Sequence, residues 1–335
     1  VTALLPKLPA VPDSIRDRIL TGTRTEALHR ALLAETEAMH ALELSGTGTA
    51  ETLPAGFNIA AWNMERCLFP EASAALLAPH YPGIVLLSEV DHGMSRTGQR
   101  NTTAEMAAGL GMHYAYGVEF FELGLGGPTE RKFCKDDFNS LGFHGNAILS
   151  TVPFERATLI RLDDHGHWFM PGENATDPEQ PRLGGRMAVA ATVPTEAGPL
   201  CVVSTHLESN AGVAHRGAQF DRLMDAVDAF APDLPVVIGG DLNTGNHLPP
   251  DFDWQRETLF DAARARGYHW DLTPEGVTTR ASLITPHPSR RMKLDWFCAR
   301  DVTGQAGPLL ASLGPDGTPL SDHECVVAEV RLGQV

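Results

Sequence analysis

Residues 236–245, VVIGGDLNTG, constrain this chain more than any other stretch. Val236, Val237 and Ile238 form the β-branched apolar run that a strand covered on both faces needs. Two glycines close the run, and Asp241 and Asn243 follow two positions apart. Residues i and i+2 of an extended backbone point to the same side, so both polar groups leave the strand end toward one cleft. Gly239 and Gly240 read as positions where a substrate comes close to the backbone.

The pattern recurs along the chain. Residues 57–63 (FNIAAWN) end in Asn63, with Glu65 two positions on, and residues 83–90 (GIVLLSEV) carry Glu89. Residues 200–207 (LCVVSTHL) carry His206, residues 293–299 (KLDWFCA) enclose Asp295, and Ser321, Asp322 and His323 precede an alternating last strand over 325–332. A carboxylate directly after a run such as Ile84 to Leu87 is costly unless it is solvated, paired or bound to a cation. Residues 142–150 (GFHGNAILS) add His144 and Asn146 on one strand face, and Arg96 follows Glu89 at a spacing that lets a guanidinium reach a bound phosphate.

Between these strands the periodicity turns helical, over 71–78, 101–110, 213–230 and 257–266. Residues 13–20 and 23–43 also read as helices, and the small polar stretch 45–56 reads as a linker. The expected organisation is thus an N-terminal helical extension, 1–55, ahead of one domain, 56–335. Two insertions, 122–139 and 163–182, are expected to be surface loops that wall the cleft and set specificity more than cation affinity; His165 and His167 read as loop residues.

The 26 Lys and Arg residues stand against 42 Asp and Glu, a formal net charge of −16. Each phosphate contact on a nucleic-acid surface wants a Lys or Arg, so the balance disfavours a polyanion-coating protein. A nucleic-acid substrate held through a cation stays open. The five cysteines are scattered without a CxxC pair, which favours a reduced compartment and a cytoplasmic location. The first residues, broken by Pro6, Pro9 and Pro12, lack a signal-peptide core; a secreted or periplasmic protein that has lost its leader stays open. No run approaches the ~20 apolar residues of a membrane span.

The strand-end residues supply carboxylates, carboxamides and imidazoles, with no Ser or Cys nucleophile among them. Hard oxygen donors such as Glu89 suit Mg²⁺, with Mn²⁺ as a substitute, and a cation so held polarises a phosphoryl oxygen. The Asp322–His323 pair, with Asp295 to orient the imidazole, can activate water, while Asn243 and His206 can donate to phosphoryl oxygens.

WNME, LLSEV, STHLES, GGDLN, KLDWF and SDHE, in that order, resemble the motifs of the endonuclease/exonuclease/phosphatase superfamily, over residues 57–332. The resemblance implies a deoxyribonuclease I-like four-layer α/β sandwich, two packed mixed β-sheets flanked by helices. It implies catalytic roles for His206, Asp241, Asn243, Asp295 and His323, with His323 as the expected base and Asp241 as its rival. It implies cation contacts for Glu89, Asn63, Glu65 and Asp322, and places His144, Asn146 and Arg96 toward substrate. The expected activity is divalent-metal-dependent attack of water on a phosphodiester. The alternatives are a nuclease acting on DNA or RNA, a phosphomonoesterase, a sphingomyelinase-type lipid phosphodiesterase, and a catalytically silent binding protein on the same fold. Thr244 after Asn243 and the segment Lys293-Leu294-Asp295 depart from the inositol-phosphatase signatures, which lowers that reading.

Overall fold

The computed structural model describes residues 2–171, 181–287 and 291–333. In chain order its strands are β1 (Ala3–Leu5), β2 (Ala41–Gly46), β3 (Gly56–Arg66), β4 (Pro82–His92), β5 (His113–Glu122), β6 (Phe143–Ser150), β7 (Arg156–Arg161), β8 (Arg182–Gly184), β9 (Met187–Val193), β10 (Leu200–His206), β11 (Val236–Asp241), β12 (Asp295–Arg300), β13 (Thr303–Leu310) and β14 (Cys325–Arg331). The helices are α1 (Asp13–Thr21), α2 (Glu26–Glu35), α3 (Pro70–Leu77), α4 (Thr102–Leu110), the single turn α5 (Pro128–Arg131), α6 (Val213–Phe230) and α7 (Leu259–Ala265). The larger sheet runs β1-β2-β5-β6-β4-β3-β14-β13, with β8 added to β5, and the smaller runs β12-β11-β10-β9-β7. Both are mixed: β3 pairs β4 in parallel and β14 antiparallel, and β11 pairs β10 in parallel and β12 antiparallel.

Alternation along each strand distributes the apolar residues over three layers of core. Ile59 and Ala61 of β3, Val202 of β10 and Val237 of β11 fill the space between the sheets. Ala60 and Trp62 face the other way, onto Ile19 of α1, Leu32 of α2, Leu77 of α3 and Met106 of α4. Val236 and Ile238 turn outward to meet Phe220, Leu223 and Val227 of α6 and Phe260 of α7. The result is helix, sheet, sheet, helix, the four layers the sequence implied. Helix ends follow local chemistry: Asn101 Oδ1 accepts from Ala104 N at 3.0 Å to cap α4, and Gly111, at φ +64°, closes it.

Two expectations are corrected. The first 55 residues are not a helical appendage. Their second helix stops at Glu35, and 41–46, read as the end of a helix and the start of a linker, form a strand pairing antiparallel with β5 and parallel with β1. Glu43 of this strand is buried and accepts from Tyr114 Oη at 2.8 Å and Leu8 N at 2.9 Å. The glycines of VVIGGD serve packing rather than access to substrate. A Cβ on Gly240, whose φ is +144°, would lie 1.9 Å from the Thr205 carbonyl oxygen of β10, and one on Gly239 would lie 2.7 Å from Leu86 Cδ1 of the facing sheet.

Candidate active site

The sheet pairing brings the strand-end residues together. His206 is in register with Asp241, and Asp241 with Asp295, so three polar side chains lie abreast at one end of the smaller sheet. Asn63 and Glu89 lie three positions before the ends of the neighbouring strands β3 and β4, where the ladders of both shift register, and Asn63 Nδ2 bridges the two sheets. It donates to Asp241 Oδ2 at 3.0 Å and to Glu89 Oε1 at 3.2 Å. His323 arrives on the approach to β14. Ser321 Oγ donates to the Asn63 carbonyl at 2.6 Å and accepts from His323 N at 3.0 Å, and Trp62 Nε1 donates to the His323 carbonyl at 2.9 Å. The SDH and WN motifs are thus two halves of one contact. Glu65, Glu89 and Asn243 all have left-handed φ, +42°, +54° and +50°, a conformation that costs non-glycine residues free energy and clusters at functional sites.

Asp241 is the centre. Its Oδ2 lies 3.6 Å from His206 Nε2 and 3.7 Å from His323 Nε2, and its Oδ1 accepts from Asn243 N at 2.8 Å. Each imidazole has a buried carboxylate behind it. His323 Nδ1 is 2.8 Å from Asp295 Oδ2, and His206 Nδ1 is 3.4 Å from Glu119 Oε2. Burial disfavours the His323 imidazolium, but Asp295 and Asp241 outweigh it and raise its pKa well above the ordinary value. His206 is also raised: burial and Arg186 oppose its charge, and Glu119 and Asp241 prevail.

Around this centre is a cavity of about 410 Å³, lined by Glu89, His206, Asp241, Asn243, Asp322 and His323 and walled on one side by Thr285, Met292 and Leu294. The Glu89 and Asp322 side chains keep 20% and 23% of their surface exposed, so these two carboxylates reach the opening. Glu89 is held well below the usual carboxylate range: burial raises it, but Arg66 and then His206 outweigh burial. Asp322 is pushed up to about 6 by burial, with His323 pulling down and Glu89 pushing up. Glu65 is pushed to about 8 by burial and the Asp322 charge, and its Oε1 accepts from Ser282 Oγ at 2.6 Å and Thr285 Oγ1 at 2.7 Å. Oxygen donors that raise one another's proton affinity fit a hard divalent cation, which would neutralise them. Glu89 and Asp322, with Asn63 beside them, are the groups placed to hold one. Asp241, Asp295 and His323, whose ligand atoms lie within 4.8 Å of one another, are committed to the hydrogen bond between ring and carboxylate instead.

The three residues expected on the substrate side sit elsewhere. Arg96 is buried, with Nε and Nη2 on the two Asp91 oxygens at 2.7 and 2.9 Å and Nη1 on Glu122 and Glu130 at 3.0 and 2.9 Å. His144 Nδ1 is 2.9 Å from Asp91 Oδ1, and Asn146 Nδ2 donates to the Met187 carbonyl at 2.9 Å. None of the three lines the cavity; buried acids and a backbone carbonyl claim them first. The loop 122–139 is likewise anchored, through buried Glu122, Glu130 and Asn139. Part of the second insertion, 172–180, lies outside the described residues. Sequence reasoning missed Glu119, Arg66 and Arg186. Arg186 Nη1 contacts His206 Nδ1 at 2.8 Å and Glu119 Oε1 at 3.0 Å, and its Nε contacts Glu208 at 3.2 Å. A charge inside the apolar run GVEFFE was the available signal for Glu119.

Mixed sheets packed face to face, with acids and imidazoles gathered at one end of both, define a deoxyribonuclease I-like sandwich. The chain belongs to the endonuclease/exonuclease/phosphatase family, whose model matches residues 60–323. It is similar to an endonuclease/exonuclease/phosphatase from Beutenbergia cavernae at 18% identity and a TM-score of 0.58, over 83% of this chain and 72% of that one. The human Nocturnin catalytic domain with bound sulfate matches at 17% identity and a TM-score of 0.56, over 87% and 98%. Humanized D. rerio TDP2 matches at 16% identity and a TM-score of 0.51, over 83% and 99%. At such identities the likeness shows the fold. No curated protein matches the chain. Among the described residues no helix is long and apolar enough to cross a membrane.

Proposed function

We propose that this chain is a divalent-metal-dependent phosphodiester hydrolase in which water attacks phosphorus directly. The observation that carries the reading is Asp241 Oδ2 lying between two imidazole Nε2 atoms, at 3.6 and 3.7 Å, with Glu89 3.8 Å from one of them. Family membership supports a phosphoesterase. The sulfate in the Nocturnin domain, tetrahedral and dianionic like a phosphoryl group, supports a phosphate ester as ligand.

Glu89 and Asp322, with Asn63, would hold the cation. When bound, Mg²⁺ or Mn²⁺ supplies charge that polarises the phosphoryl oxygens and offsets the leaving group's charge. The chain's own residues do the rest. Asp295 keeps His323 protonated, so His323 acts as a donor to a phosphoryl oxygen and Asp241 accepts the proton of the attacking water. His206, backed by Glu119, donates from the other flank. Asn63 Nδ2 and Asn243 N fix the Asp241 carboxylate, the first on Oδ2 and the second on Oδ1. The acidic balance of the chain favours a small or lipid-like diester over duplex DNA as substrate.

The test is a panel of bis-nitrophenyl phosphate, DNA, RNA and sphingomyelin, with Mg²⁺, with Mn²⁺ and with EDTA. Hydrolysis of at least one ester is expected with metal and not with EDTA. Glu89→Ala and His323→Ala should each lower it by ~10²–10⁴-fold in variants whose circular dichroism shows that the fold is retained. Unchanged turnover in both variants, or no hydrolysis of any ester by the wild type, would refute the assignment.

A further inference from the structure

Arg66 has no part in the mechanism above, yet it touches the carboxylate that the mechanism gives to the cation. It is the middle of three successive non-glycine residues in the left-handed region, Glu65, Arg66 and Cys67, with φ +42°, +81° and +60°. The β3–β4 register shifts over the same residues, between Asn63 and Arg66. L side chains adopt this conformation rarely, and a run of three needs a compensating contact. Arg66 makes two. Its Nη1 donates to Glu89 Oε2, and its Nε donates to Glu130 Oε1 at 2.8 Å.

Glu130 is itself fixed. Its Oε2 accepts from Gly127 N at 2.7 Å, and its Oε1 also accepts from Arg96 Nη1 at 2.9 Å, while Arg96 grips both oxygens of Asp91. The Arg66 guanidinium is therefore clamped at both ends and cannot leave Glu89 without breaking charge-assisted bonds. Glu89 Oε2 is committed. Oε1, which accepts from Asn63 Nδ2 at 3.2 Å and lies 3.8 Å from His206 Nε2, is the oxygen that Arg66 leaves free.

We propose that Arg66 is a positioning residue for cation choice: it limits Glu89 to one oxygen and so biases the site toward a small octahedral cation, Mg²⁺ or Mn²⁺, against Ca²⁺. Calcium takes about six to eight oxygens and readily uses both atoms of a carboxylate, whereas magnesium takes one oxygen from each carboxylate and keeps waters. The resident guanidinium also lowers the negative charge offered to any cation. The inference rests on the reading that Glu89 holds the metal. It also ties the 122–139 loop, through Glu130, to cation affinity, where the sequence pointed to substrate preference more than to cation affinity.

The test is equilibrium binding to the metal-stripped full chain without substrate: Mn²⁺ followed by electron paramagnetic resonance, and Ca²⁺ by competition against it. Arg66→Gln should bind both ions more tightly, and the gain for Ca²⁺ should exceed that for Mn²⁺ by about tenfold, the worth of one charge-assisted hydrogen bond. Arg66→Lys, which keeps the charge without the two-ended grip, should fall between. If melting shows that Arg66→Gln does not fold, Glu130→Gln serves instead; it frees the far end of the clamp and should move the Mn²⁺/Ca²⁺ ratio the same way by a smaller factor. An unchanged ratio in the variants, with the wild type binding Mn²⁺, overturns the role of Arg66 and leaves the proposed function standing. A wild type that takes up no Mn²⁺ overturns both.

Discussion

Asp295→Asn separates the two roles open to His323. The carboxylate is fully buried, with Oδ2 2.8 Å from His323 Nδ1, while the other acids near the ring, Asp241 and Asp322, stand 3.7 and 3.9 Å from Nε2. Asparagine keeps the volume and removes the charge. An opposite charge at contact distance is worth about 1–3 pH units, so the His323 titration should fall by that much, about 1.4–4 kcal/mol. The two remaining acids should keep it from falling further. If His323 works as the charged donor, its titration sets the alkaline limb of the pH–rate profile. Asp295→Asn then moves that limb to lower pH by the same ~1–3 pH units, and turnover at a pH above the wild-type limb drops by ~10–10³-fold while the acid limb stays in place. If His323 were instead the base, the acid limb would move to lower pH. The assay is the pH dependence of kcat with a chromogenic phosphodiester, alongside NMR titration of the His323 ring. A shifted acid limb with a fixed alkaline limb would refute the assignment of Asp241 as base.

The same geometry sets other outcomes. Glu119→Gln removes the acid behind His206 and leaves Arg186 beside the ring, so kcat should fall by ~10–10²-fold with KM little changed; an unaltered kcat would remove Glu119 from the site. Gly240→Ala drives a methyl group into the Thr205 carbonyl at a φ of +144°, and urea denaturation should show a loss of about 3 kcal/mol or more; a loss below about 0.5 kcal/mol would mean that the strands part easily there. The raised His323 pKa is also a stability term. It is fully present below about pH 6.5, the unfolded value, and is lost as pH rises through the folded pKa. The difference in unfolding free energy between wild type and Asp295→Asn should therefore shrink as pH climbs, and a difference that grew would contradict the sign.

Much of the site was legible because strand ends are marked in sequence by the break between an apolar run and a polar residue. Asn63, Glu89, His206 and Asp241 were readable this way, Asp295 as an acid enclosed by apolar residues, and the β10–β11–β12 register explains why His206, Asp241 and Asp295 meet. What sequence could not convey was where a charged side chain turns once the chain is folded. Arg96 stands at a spacing suited to phosphate, yet Asp91, Glu122 and Glu130 enclose it, and two of those acids are distant in sequence. Glu119 sits mid-strand between aromatics and valine, where a lone acid reads as an exposed face; only the approach of Arg186 and His206 from the other sheet makes its burial affordable. β13 escaped notice for a different reason. As an edge strand it is largely exposed, and its TGQAGPLL sequence carries none of the apolar alternation that betrays a covered strand.

The central claim is that water, activated at this one cluster, attacks phosphorus. Hydrolysis of a phosphodiester in ¹⁸O-labelled water with Mg²⁺, read by the isotope shift in ³¹P NMR, tests it directly. A single ¹⁸O in the phosphomonoester product, formed by the wild type and not by Glu89→Ala, is the predicted result. Label in the released alcohol instead, or the same labelled product from Glu89→Ala at the wild-type rate, would contradict it.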